Sequence, residues 1–244
     1  MAELEIAKHG KNVIQLMGKK EHPIAHRLRE MALEIVTIVF AVTFSIWLHG
    51  LSEHRHEQQQ VKTFLVGLRH DLQLDIENVR GLMDQHRKYD ANFAYLAALD
   101  PQALPEQPRF DEAFETANNN ASFEARLTRF EGFQSSGKLV HIEDEALLNN
   151  ILQLYQEKFT AILRSRGYWG QQQEKLRAYL DDKLEGEDSA EQQYRVLTAP
   201  RGKRLLRRMA TAPQLYERFE AYASQASVIV KAIDAAYPEL AKQP

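Results

Sequence analysis

Cysteine is absent from the chain. That one absence removes structural disulfides, thiolate zinc sites, iron–sulfur clusters and a cysteine nucleophile together. The sequence also lacks a Gly-x-Ser-x-Gly elbow, a His-Glu-x-x-His pair and a Gly-rich phosphate loop. These gaps point away from an enzyme, so no catalytic residue, cofactor or metal ion is expected. Nor is there an excess of charge of one sign. A net charge of -3 gives no global field to draw nucleic acid or anionic lipid, and no nucleic-acid partner is expected. Strand-length alternation is missing as well, apart from a candidate extended segment at 138–142.

Against these absences stands one long apolar run. Residues 31–51 hold a single formally charged side chain, Glu34, and the rest are apolar or small up to His49. At about 1.5 Å rise per residue the run covers roughly 30 Å, the thickness of a bilayer's hydrocarbon core. Soluble core helices seldom need apolar side chains all the way round. The large groups of Trp47-Leu48-His49 stand where a signal peptidase requires small ones, so an uncleaved anchor in contact with membrane lipid is expected. Lys8, Lys11, Lys19, Lys20, Arg27 and Arg29 precede it, and only Arg55, Lys62 and Arg69 follow closely. This bias predicts residues 1–30 as a cytoplasmic tail and residues 52–244 as a periplasmic domain, with the anchor in the inner membrane. A tail that short and polar holds no output domain.

Beyond the anchor the pattern is helical. Val61, Leu65, Leu68, Leu72, Val79, Leu82, Tyr89, Phe93 and Leu96 step by threes and fours. Asp75 and His86 interrupt that seam, and Ile76 and Met83 carry it onward. One helix is expected over 53–99, either separate from the anchor or continuous with it, ending at Asp100-Pro101. Asp111 is expected to cap a short helix ending at Asn118-Asn119-Asn120, and Ser122 to cap a piece with Phe123, Leu127 and Phe130 on one face. Asp144 should open a long helix to Leu184, with Leu148, Ile151, Leu152, Tyr155, Phe159, Ile162 and Leu163 as its stripe. Residues 186–189 read as an acidic loop. Pro200 should open a short basic helix and Pro213 the last one, lined by Leu215, Phe219, Tyr222, Ala226, Ile229, Ile233 and Ala236. The expected fold is all-α: one N-terminal transmembrane helix, then an antiparallel bundle of long helices.

Three places could carry chemistry or contacts. Glu53 and His56 have the Glu-x-x-His spacing of di-iron bundles, but no second copy exists, and a solvated helix face explains them. Arg201, Lys203, Arg204, Arg207 and Arg208 crowd one short helix and could contact an anionic partner or headgroups, with a solvated face as the plainer reading. In the anchor, Glu34, Thr37, Ala41, Ser45 and Leu48 share one side, and Ala41-x-x-x-Ser45 is a small-x-x-x-small pair. Such faces let membrane helices approach closely, so a homo- or hetero-oligomer through the membrane helix is expected.

Glu34-Ile35, Ala41, Ser45 and Ser52-Glu53, then the Leu-rich stretch 64–72 and the segment 133–139 with Ile142 and Asp144 leading into 147–155, together carry a resemblance. The chain resembles a large, uncharacterised family of bacterial single-pass membrane proteins. His49 and Leu51 stand where that family has Asn and Trp, and Trp47 lies one turn earlier. The resemblance implies topology and no chemistry. The expected function is non-enzymatic and rests on protein–protein contacts of the membrane helix and outer domain. The competing expectation is a membrane-proximal ligand-sensing bundle that needs a separate output subunit.

Overall fold

The computed structural model describes residues 22–103, 105–117, 119, 123–184 and 189–239, with side chains from Leu28 onward. The lysines of the expected tail, the cap at Ser122 and residues 186–188 of the expected acidic loop lie outside the described residues. All elements among them are helical. Helix α1 spans His22–Ala98, α2 Gln107–Glu115 and α3 Thr128–Ser135, followed by a 3₁₀ turn at Lys138–His141. Next come α4 at Glu145–Gln153, a π-helical segment at Leu154–Phe159 and α5 at Thr160–Lys183. The chain closes with α6 at Ala190–Thr198, α7 at Pro200–Arg208 and α8 at Pro213–Ala236.

The chain divides into two compact units, residues 1–57 and 58–244. In the first, every side chain from Leu28 to Leu51 is exposed, and the helix there is long and apolar enough to cross a membrane. Phe40 at 67% and Ile46 at 68% relative exposure are far outside what a water-facing surface of this size normally carries.

In the second unit the α1 seam is buried as its spacing predicts, from Val61 through Leu96, including Ile76 and Met83. Asp75 and His86 are buried along with it. Partners of α1 on α8 descend in number as α1 ascends. Arg69 meets Asp234 at 2.5 Å, Asp75 meets Tyr222 at 3.0 Å and Asp90 meets Tyr216 at 2.8 Å. The two helices therefore run in opposite directions where they touch. Helices α4 and α5 pack on α8, and α6 and α7 pack on each other and on α5.

Several local expectations are corrected. Residues 138–141 form a 3₁₀ turn rather than an extended segment, reached through Gly137 at φ 73, a conformation that glycine adopts without penalty. Asp111 lies inside α2, whose first turn is set by Pro108 instead. Phe123 and Leu127 precede α3 rather than belonging to it, though Phe123 and Phe130 are both buried. Asp144 does cap α4, accepting from the Leu147 N–H at 3.0 Å. The stripe that follows differs from a pure α pattern. Leu147 and Leu154 are buried while Leu163 is exposed. The i→i+5 bonding of the π segment widens one turn and rotates everything after it. Ala236, the last residue of α8, is exposed.

Candidate functional site

The small-residue face of the apolar helix is laid out by α1 alone. Glu34, Thr37, Ala41, Ser45 and Leu48 all lie on exposed helix. The Thr37 hydroxyl donates to the Leu33 carbonyl at 2.8 Å, and Thr43 does the same to Val39 at 2.7 Å. Their hydroxyls thus have a partner within the helix, as a polar group in hydrocarbon requires. A ladder of rings occupies a neighbouring face: Phe40 stacks on Phe44 and Phe44 on Trp47, both at 5.8 Å between centroids. At about 100° per residue this ladder sits roughly a quarter-turn from the small-residue face. Bulk on one side and small groups on the next is the asymmetry a helix–helix contact uses.

Glu53 and His56 are exposed on α1. Among the described residues no group of three or more His, Asp or Glu side chains could hold a metal ion.

The basic helix is better organised than its composition suggests. Leu205, Leu206 and Met209 are buried, and the Trp169 indole N–H donates to the Met209 carbonyl at 3.1 Å. Gly202 lets α7 press against the end of α6, where a Cβ would strike the Val196 carbonyl and meet that of Leu197 at 2.6 Å. The five cations then part company. Lys203 turns inward and donates to the Leu99 carbonyl at 2.5 Å, the first free carbonyl beyond α1, where a cation suits the helix dipole. Arg201, Arg204, Arg207 and Arg208 stay exposed. Arg201, Arg204 and Arg208 line a groove of about 700 Å³ with Lys175, Tyr179 and Asp182 of α5, whereas Arg207 faces elsewhere. Among the described residues Asp182 is the one carboxylate of that lining, and it pairs with Lys183 at 3.0 Å. Like charges three and four residues apart, such as Arg201 with Arg204 and Arg204 with Arg208, each cost about 0.2–0.5 kcal/mol. Arg201 also occupies the first turn of α7, where the helix dipole disfavours a cation. Its guanidinium rests over the Tyr179 ring at 5.1 Å, an attraction that offsets part of this.

Two buried clusters escaped the sequence reading, although both lie where the α1 seam was seen to break. Asp75 is fully buried and accepts from Tyr222 at 3.0 Å, from the Arg126 guanidinium at 2.8 Å and from the Arg126 N–H at 3.2 Å. Desolvation, then the Asp75 charge, pushes the Tyr222 hydroxyl far above the usual phenol range. Burial likewise raises Tyr155, whose hydroxyl is buried without a hydrogen-bond partner among the described residues. His86 sits among Tyr89, Trp169, Tyr216 and Phe219, with its Nδ1 3.4 Å from the Thr211 hydroxyl. Burial lowers its affinity for a proton and the Asp90 charge opposes this only in part, so the ring is held neutral. Asp90 is occupied by the Thr211 N–H at 2.7 Å and the Tyr216 hydroxyl at 2.8 Å. Asp75 and Asp90 thus have donors at hand, and the Asp75 cluster reaches the surface through Arg126, whose side chain is 39% exposed. A polar residue breaking an apolar seam was the available signal; its partners, 51 to 147 positions away, were not legible.

No family model, curated protein or solved structure matches this chain.

Proposed function

We propose that the chain is a non-enzymatic, bitopic inner-membrane protein of a Gram-negative bacterium, allied to the single-pass family it resembles. Its amino terminus lies in the cytoplasm and an antiparallel helical bundle in the periplasm, and it acts through protein–protein contacts of its membrane helix and outer domain. The observation that carries this reading is the exposed, largely apolar helix surface from Met31 to Leu51, with Glu34, Thr37, Ala41, Ser45 and Leu48 along one side. Bilayer lipid covers such a surface, and the small-residue face admits a second helix.

Cross-linking in membranes tests it. Replacing Ala41 and Ser45 together with Leu forces the backbones apart and should lower association by roughly tenfold, about 1–2 kcal/mol. Leu at Val39 and Val42, on other faces, should change nothing. Equal yields from all four substitutions would reduce the anchor to a tether.

A second reading, a ligand-sensing bundle with a separate output subunit, is favoured by one feature: three Arg and one Lys side chain converging on the groove between α5 and α7.

A further inference from the structure

We propose that the groove between α5 and α7 binds a phosphate-bearing oligoanion through Arg201, Arg204, Arg208 and Lys175. This gives a ligand class to the sensing reading and rests on the groove alone, so its failure would leave the membrane-helix contact untouched.

Among the described residues four cations and one carboxylate line the groove, and that carboxylate already has Lys183 at 3.0 Å. No ion pair engages Arg201, Arg204, Arg208 or Lys175 among the described residues. Arg69, Arg126 and Arg129, by contrast, each hold a carboxylate of another element at 2.5–2.8 Å. What sets the groove apart is convergence: three arginines and a lysine line one concave surface.

The backbone of the groove and one of its cations are held by packing within the chain. Tyr179 carries Arg201 on its ring and is itself tied by its hydroxyl to the Val196 carbonyl at 3.1 Å. Close packing at Gly202 and burial of Leu205 and Leu206 set the rotation of α7, which points Arg201, Arg204 and Arg208 at α5. A site whose supports are rigid loses little freedom on binding. Three guanidinium forks with one ammonium suit phosphate oxygens, which accept paired N–H donors. A lone carboxylate would answer only one of the surplus charges, whereas a diphosphate brings several in a volume that about 700 Å³ holds with ease.

The ligand could be free in solution or be a lipid headgroup, and the experiment separates these. Full-length protein in a neutral detergent is titrated calorimetrically with inorganic pyrophosphate and, in parallel, with a short-chain phosphatidic acid. Buffer at about 0.15 M salt limits diffuse attraction to about 8 Å. One site per chain is expected, weakened at least tenfold by Arg204→Gln and by Arg208→Gln. Arg207→Gln and Arg195→Gln, which remove the same charge outside the groove, should shift affinity less than twofold. All four side chains are exposed, so circular dichroism melts should match the parent. Binding of pyrophosphate with this variant pattern supports a soluble ligand; binding of phosphatidic acid alone with the same pattern supports a headgroup. Absence of both, or an equal loss with Arg207→Gln, overturns the site.

Discussion

Two tyrosines show how much a single hydroxyl depends on what surrounds it. Tyr222 donates to the buried carboxylate of Asp75 at 3.0 Å, while the buried Tyr155 hydroxyl has no partner among the described residues. Hydrogen bonds to a charged group contribute about 1.5–3 kcal/mol, and an unsatisfied buried polar group costs about 1–3 kcal/mol. Tyr222→Phe should therefore lower stability by about 2 kcal/mol in urea melts of the full chain. Tyr155→Phe should be neutral or stabilise by about 1 kcal/mol, since the ring and its stacking on Phe130 at 4.2 Å are retained. Equal losses for the two would mean that Tyr155 has a partner after all. The carboxylate of Asp71 shows the reverse economy, reached by Arg129 at 2.8 Å across Gly67. A methyl group at Gly67 would meet the guanidinium itself, so this small residue keeps a crossing open.

Helix α7 illustrates an element held by its neighbours against its own preferences. Its like charges and the arginine in its first turn oppose helix formation. Burial of Leu205, Leu206 and Met209 outweighs them, because a fully buried Leu is worth about 1.5–3 kcal/mol. That burial needs α7 close to α6, which Gly202 alone permits. Gly202→Ala should destabilise by about 1–3 kcal/mol, as inserted methyl groups do in packed places, and it should weaken any groove ligand in step. Gly170 is the contrast, exposed in mid-helix with open space around it. Gly170→Ala should raise stability by about 0.4–1 kcal/mol. Thermal melts of the two variants in one detergent decide the matter; a loss at Gly170 would show that its surroundings are fuller than the geometry indicates.

At the scale of the whole molecule the decisive quantity is the distribution of Lys and Arg about the apolar helix. Six cations from Lys8 to Arg29 lie before residue 31, and the stretch after residue 51 is poorer. If that bias sets orientation, alkaline phosphatase fused after residue 244 should be active in bacteria and a green fluorescent protein fused there should be dark. The opposite pair of results would place the larger unit in the cytoplasm and redirect the search for partners.

The sequence by itself determined the helical class, the apolar helix and the buried seam of α1, because each is written in local spacing. Threes and fours over 61–96 turn one face inward whatever the partner is. Capping at Asp144 and the starts at Pro200 and Pro213 were legible for the same reason: cap chemistry acts within one turn. Tertiary structure alone decided the rest. Asp75 and His86 read as interruptions until Tyr222, Arg126 and Thr211 were brought against them. The π turn at Leu154–Phe159 rotated a stripe that uniform spacing had put elsewhere. The five cations of α7 looked alike in sequence, yet packing on α5, α6 and the end of α1 sent Lys203 to a carbonyl and three arginines to a groove with Lys175. Spacing along one helix says which side chains share a face; only the neighbouring helices say what that face meets.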